Sequence, residues 1–309
     1  MEAPAYHIPV MLEESVSALS LRDGGVYVDV TMGGGGHTRE ILRRMGPTSR
    51  LFGFDQDSDA IANIPHDSRF TFVLSNFRFL RHWMDYYGIA RIDGLLADLG
   101  VSSHHFDESS RGFTFRSDAP LDMRMNRRAK RSAATFLMTA GADEIATVLR
   151  NYGELRNAGR MAAAIVRARA TAPIGTTGQL MDILAPFTKR DREKKDMARA
   201  FQALRIEVND EMGALRDMLA AATDLLAPGG RLVVLTYHSL EDRMVKNFIR
   251  SGNAAGRQEK DFYGNLIAPL SAVNTHVITP SAEETERNPR SRSAKLRVAE
   301  KTESNGKTS

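Results

Sequence analysis

The chain has 309 residues, 42% of them apolar and 26% charged, a net charge of +4 and no cysteine. Without cysteine, disulfides and thiolate metal sites are excluded, and no run approaches the roughly 18–20 uncharged apolar residues of a membrane span. The N-terminal MEAPAYHIPV lacks the basic start and apolar core of a signal peptide, so a soluble, cytoplasmic protein with no membrane partner is expected.

The length suggests about two domains of roughly 150 residues each. Charge divides them: Arg111 to Arg205 carries 19 Lys and Arg against 9 Asp and Glu, a balance of +10, and the remainder stands at −6. Such asymmetry suits a polyanionic partner, and a solvated helical face produces the same composition.

In chain order, GVYVDVT (residues 25–31) is a glycine-bounded apolar run and predicts a buried parallel strand. HTREILRRM then has helical spacing and stops at Gly46–Pro47. RLFGFDQD is a second strand with an acidic end, SDAIANI a short helical piece, RFTFVLSNF a third strand and IDGLLADLG (residues 92–100) a fourth. Strands alternating with helices predict a doubly wound α/β sheet. From about Phe106 to Arg205 the alternation stops and helical patterns follow one another. The sheet pattern returns after a long helical tract, RIEVNDEMGALRDMLAAATDLLAPGG, closed by Pro228 and two glycines. RLVVLTYH is then strand five, SLEDRMVKNFIR a helix, and AVNTHVI and AKLRVAE strand-like pieces. The expected domains are residues 1–105 and 206–300 for the sheet, 106–205 for an inserted, basic, all-helical domain, and 301–309 for a disordered tail.

Gly33–Gly36 sit between the first strand and its helix, where glycines allow a tight turn and let a ligand approach the backbone. A P-loop is excluded because GGHT stands where Gly-Lys-Ser/Thr belongs. The dinucleotide fingerprint also fits poorly, since Thr38 replaces its third glycine. Asp55, 20 residues past Gly35 at the end of strand two, is placed to bond the two hydroxyls of a ribose. Asp29 near the end of strand one either caps the loop or faces a ligand amine. Ser75–Phe77 end strand three and Asp98 ends strand four, so four strand ends converge on the crevice where open α/β sheets bind ligands. A ribose-holding acid, an aromatic face and further acids suit an adenosine without a pyrophosphate, and S-adenosylmethionine meets that description.

The chain resembles the MraW family, the bacterial ribosomal RNA small subunit methyltransferases H. The matching stretches are HIPVMLEE (His7–Glu14), VDVTMGGGGHT (Val28–Thr38), DQD (Asp55–Asp57), DGLLADLGVSS (Asp93–Ser103), RGFTF and PLDMRM within Arg111–Met125, FQALRIEVNDE (Phe201–Glu211), HSLEDRMVK (His238–Lys246) and NPRSRSAKLRVAE (Asn288–Glu300). They keep their order along nearly the whole chain, and DMRM, HSLEDR and NPRSRSAKLR are specific to this family. The resemblance implies a Rossmann-like, S-adenosylmethionine-dependent enzyme that methylates N4 of a cytosine in the decoding region of 16S ribosomal RNA, within the assembled small subunit. It implies cofactor contacts by Gly35, Gly36, His37, Asp55, Phe77, Asp98 and His105. A homodimer is left open.

The cofactor brings an activated methyl group, so the enzyme has to align it with a weakly nucleophilic amino nitrogen. Many amino-methyltransferases place Asp-Pro-Pro-aromatic at the end of strand four. This chain has DLGVSS there, which makes Asp98 the candidate acceptor for the amino N–H, with the carbonyls of Leu99 to Val101 as alternatives. His37, His104, His105 and His238 fall in motif loops, but a strong base is unnecessary once the nitrogen is methylated. HSLED lacks the GxSxG elbow of a hydrolase and reads as a helix start capped by Ser239; the histidines also lack zinc-like spacing. On the RNA side, arginines and Lys130 in RGFTFRSDAPLDMRMNRRAKR suit phosphates, while Phe113 and Phe115 either stack on bases or anchor the insertion's core. The competing classes are a methyltransferase of another nucleic acid or of protein, a catalytically inactive RNA-binding relative, and a dehydrogenase.

Overall fold

Four apolar runs in the first hundred residues become parallel strands covered on both faces. In the computed structural model, which describes residues 9–100, 108–188, 191–264 and 266–303, α1 (Leu12–Ala18) precedes β1 (Val26–Asp29), α2 (Gly36–Arg44), β2 (Arg50–Asp55), β3 (Phe70–Leu74), α3 (Leu80–Tyr86) and β4 (Ile92–Asp98). Five helices follow: α4 (Ala133–Thr139), α5 (Ala142–Asn151), α6 (Ala158–Thr171), α7 (Thr177–Leu184) and α8 (Glu193–Asn209). The chain then returns through α9 (Glu211–Leu225), β5 (Leu226–Thr236) and α10 (Ser239–Ser251). A small hairpin of β6 (Glu259–Lys260) and β7 (Leu266–Ile267) is followed by β8 (Leu270–Ala272), α11 (Ala282–Arg287) and β9 (Lys295–Lys301). Residues Met1–Gly100 and Met212–Ser309 form one unit, and Val101–Glu211 a second.

In the first unit the seven-stranded sheet has the order β3-β2-β1-β4-β5-β9-β8. Its first five strands are parallel; β9 runs antiparallel to β5, and β8 antiparallel to β9. The expected Rossmann-like sheet is therefore present, with two antiparallel strands at one edge. β1 pairs on one side with β2 and on the other with β4, so the strand order reverses between β1 and β4. At such a reversal the two connections leave in opposite directions and open a crevice at the carboxyl ends. Side chains alternate across the pleat. Val28, Phe52, Leu95 and Val234 pack on one face with Met84, Met218 and Phe248. Tyr27, Leu51, Leu96 and Val233 pack on the other with Val16 and Ile41. Each fully buried large apolar side chain contributes on the order of 1.5–3 kcal/mol.

The helical unit has its own core, including Phe113, Leu121, Phe136, Leu149, Ile165 and Leu204. Local signals set its helices. Thr176 and Gln179 form a capping box on α7, and α5 carries Asp143 and Glu144 in its first turn and Arg150 in its last, complementing the helix dipole. DMRM is held by polar contacts rather than displayed. Asp122 pairs with Arg124 at 2.6 Å, and Met123 takes φ 61°. The Asn209 side chain donates to Met123 O and accepts from Met125 N at 2.8 and 2.7 Å. The Arg111 guanidinium donates to the carbonyls of Arg124 and Met125.

Three elements differ from the sequence reading. The tract from Arg205 is not one helix, because Asp210 adopts φ 46° and separates α8 from α9. Pro228, Gly229 and Gly230 do not precede strand five; they lie inside β5, where the register against β4 shifts between Ile92 and Gly94. AVNTHVI contributes Ala272 to β8 and a single bridge from Ile278 to Leu296. Among the described residues no helix is long and apolar enough to cross a membrane. The expected disordered tail, 301–309, begins inside a strand, because β9 runs to Lys301 and Thr302 N donates to Pro269 O at 3.2 Å; residues 304–309 and the loop with His104 and His105 lie outside the described residues.

Candidate active site

The loop after β1 is built from hydrogen bonds to its neighbours. Met32 N donates to Phe54 O at 2.9 Å, Gly33 N to Asp55 Oδ2 at 2.8 Å, and the Asn63 amide to Gly33 O at 3.1 Å. Gly35 caps α2 with φ 75°, a left-handed conformation in which a side chain is strained. Gly36 is required by packing: a Cβ there would lie 2.1 Å from Pro9 Cγ. Asp29 is fully buried, accepts from Thr31 N at 3.1 Å and from Thr38 Oγ1 at 2.6 Å, and therefore serves as the loop's cap. Burial pushes its carboxyl above the ordinary range, against the opposing Thr38 hydrogen bond.

Asp55, at the end of β2, accepts from Asp57 N at 2.8 Å through its other oxygen. The carboxylate thus ties the glycine loop to the turn after β2. The turn after β3 joins it: the Asn76 amide donates to Gln56 Oε1 at 2.8 Å, and Asn76 Oδ1 caps the short turn that begins with Phe77. Phe77 packs partly buried against the sheet core.

Asp98 ends β4 beside Asp29, on the other side of the strand reversal. Its N–H donates to Thr31 Oγ1 at 2.7 Å. Its Oδ1 accepts from the Tyr237 hydroxyl at 2.7 Å. Its Oδ2 lies 3.9 Å from His37 Nδ1, beyond hydrogen-bond reach, and the side chain is 22% exposed. Among the described residues Oδ2 accepts no hydrogen bond. His37 is itself buried, with Nε2 at 3.2 Å from Val10 O. A carbonyl only accepts, so Nε2 carries the hydrogen and, in the neutral ring, Nδ1 the lone pair.

The structure brings Gly35, Gly36, His37, Asp55, Phe77 and Asp98 to consecutive strand ends of one sheet. His105 and Val101 lie outside the described residues. Tyr237 was not singled out by sequence reasoning, although it follows the end of β5 and the rule that selected the ends of β1 to β4 applies to it equally. Burial first, then the Asp98 carboxylate, pushes its phenol far above the usual range, so the hydroxyl stays a donor. The helix start beyond it is capped by His238, whose Nδ1 accepts from Glu241 N, and not by Ser239, which is the first helical residue. Glu241 completes the box by accepting from His238 N at 3.4 Å, and the same oxygen accepts from Tyr237 N at 2.9 Å.

In the helical unit Phe113 is a core residue and Phe115 packs on Phe201 with ring centroids 5.4 Å apart, so both anchor the fold. Arg127 pairs with Glu108 at 3.0 Å, and Arg131 with Glu144 and Glu207 at 2.9 and 3.2 Å. Arg116, Arg128 and Lys130 are exposed, and among the described residues none of them has an acidic partner.

A mostly parallel seven-stranded sheet with acids at the ends of β1, β2 and β4 is the frame of a Rossmann-like methyltransferase. The chain belongs to the MraW methylase family, whose model matches residues 4–302. It is similar to the ribosomal RNA small subunit methyltransferase H of Parabacteroides distasonis, with 58% identity over 96% of this chain and 97% of that one. The protein of the same name from Porphyromonas gingivalis (strain ATCC 33277) is 54% identical, again over 96% of this chain and 97% of the relative. Among solved structures, an rRNA methylase from Streptococcus thermophilus aligns with TM-score 0.44 and 13% identity, covering 96% of this chain and 99% of that one.

Proposed function

We propose that this protein transfers the methyl group of S-adenosylmethionine to N4 of a cytosine in the decoding region of 16S ribosomal RNA. Family membership and the relatives' names support a ribosomal RNA methyltransferase. The observation that carries the chemistry is Asp98, with one oxygen bound by Tyr237 and the other without a hydrogen bond among the described residues, beside the strand reversal.

The residues fit this cofactor. Asp55 is an oriented carboxylate at the end of β2, suited to a pair of ribose hydroxyls. Phe77 offers an aromatic face one strand further on, for the adenine. Gly35 and Gly36 offer backbone at the start of α2, and His37 offers its Nδ1 edge towards Asp98. S-adenosylmethionine, when bound there, supplies an activated methyl group on a sulfonium. Asp98 Oδ2 accepts one amino N–H of the cytosine and so favours the pyramidal nitrogen, whose lone pair is otherwise delocalised into the ring. The base has to be unpaired or flipped for N4 to reach this oxygen. The +10 helical segment supplies phosphate contacts, with Arg116, Arg128 and Lys130 as its exposed cations without acidic partners.

Asp98→Asn preserves shape but removes the charge and replaces one acceptor oxygen with a donor. Under single-turnover conditions, with saturating cofactor and small subunit, the methylation rate is expected to fall about 100-fold or more, within the range of positioned acid–base groups. A rate within about threefold of wild type would reduce Asp98 to a cofactor contact.

A further inference from the structure

The Tyr237 hydroxyl reaches Asp98 across 139 residues of sequence, and several features hold it there. Its ring lies against the backbone of Gly100: a Cβ on that residue would approach the ring to 2.8 Å, so only glycine admits the tyrosine so close. Its N–H is fixed by Glu241 Oε2 in the cap of α10. Asp98 is fixed in turn at its own N–H by Thr31 Oγ1. Hydroxyl and carboxylate therefore hold each other, while the two backbones are anchored by α10 and by the loop after β1.

We propose that Tyr237 is a positioning residue for methyl transfer: its hydroxyl occupies Asp98 Oδ1, fixes the plane of the carboxylate and leaves Oδ2 as the single acceptor for the cytosine amino group. The proposal rests on the acceptor role of Asp98 given above. A carboxylate free to rotate presents either oxygen at many angles, and a reacting group misplaced by about 1 Å can cost on the order of 100-fold in rate. A hydroxyl needed only for packing would leave Asp98 chemistry untouched when removed. The other titratable groups around the pair are His37, whose Nδ1 lies 3.9 Å from Oδ2, Asp29 beside Asp98, and Glu241 and Glu284 near Tyr237, and none of them replaces the donor at Oδ1.

Tyr237→Phe removes the hydroxyl and keeps the ring against Gly100. The expected results are a single-turnover rate at least tenfold lower at saturating cofactor and S-adenosylmethionine affinity within threefold of wild type. Because the tyrosine acts through Asp98, adding Tyr237→Phe to Asp98→Asn should bring little further loss. A Tyr237→Phe rate within twofold of wild type, or losses that simply multiply in the double variant, would overturn the positioning role while leaving Asp98 in place. An Asp98→Asn enzyme within threefold of wild type would instead remove the acceptor reading itself, and this inference with it.

Discussion

The backbone N–H of Gly33 donates to Asp55 Oδ2 at 2.8 Å, so the glycine loop after β1 and the acidic end of β2 form one hydrogen-bonded piece. Asp55 therefore orders the loop as well as facing the crevice. Asp55→Ala is expected to weaken S-adenosylmethionine binding by about 1.5–3 kcal/mol, the size of charge-assisted hydrogen bonds. It should also lower the melting temperature, because Gly33 and Asp57 each lose an acceptor. Calorimetric titration of the folded variant checks this; unchanged affinity would remove the ribose assignment.

Gly36→Ala tests the packing of the same loop. Its Cβ would be built 2.1 Å from Pro9 Cγ, so backbone has to shift. Overpacking of this kind costs roughly 1–3 kcal/mol. Denaturant unfolding should show that loss in the midpoint with an unchanged slope. A variant as stable as wild type would show that the contact with Pro9 is dispensable.

Asp242, in the HSLED stretch, binds Lys295 at 3.0 Å and Arg297 at 2.6 Å and so fastens α10 to β9. Burial alone would raise its carboxyl, but the hydrogen bonds from Arg297 and Lys295 outweigh it and hold the group below its ordinary value of 3.8. A depressed carboxylate contributes stability that is fully present above its unfolded value and is lost as pH falls through the folded one. Asp242→Asn should therefore cost stability at neutral pH and flatten the decline of stability below about pH 4. An identical acid limb in chemical-denaturation curves would contradict the assignment.

For the helical unit, acidic partners separate the cations. Arg127 and Arg131 already face carboxylates, whereas Arg128 and Lys130 are exposed without acidic partners among the described residues. Neutralising Arg128 and Lys130 together should reduce the slope of log affinity for RNA against log salt by about 1.4, at roughly 0.7 per phosphate on a single strand. Neutralising Arg127 and Arg131 should change it less. Cofactor affinity should be unaffected in both. An unmoved slope in the first variant would mark these charges as solvated surface.

The sheet was legible because strands buried on both faces read as continuous apolar runs, and their last residues mark the crevice. Asp55 and Asp98 could be placed at strand ends for that reason alone. Asp210 was not legible as a helix break: helical spacing continues through it, and its left-handed backbone is not signalled by a glycine. AVNTHVI looks like a strand from its β-branched residues, yet a strand needs a partner along its length, and pairing with β9 is confined to its ends, Ala272–Val273 and Ile278. Tyr237 escaped notice because its significance lies in a contact 139 residues away. The charges of Arg127 and Arg131 misled in the same way, since Glu108, Glu144 and Glu207 meet them only in the fold.

The central claim concerns which atom receives the methyl group. Purified protein should be incubated with isotopically labelled S-adenosylmethionine and small ribosomal subunits lacking the modification, and the RNA then digested to nucleosides and fragments for mass spectrometry. The account predicts label on N4 of one cytosine, in a fragment from the decoding region of 16S ribosomal RNA. Label on another base or ring position, or none in 16S ribosomal RNA from a protein that binds the cofactor, would contradict it.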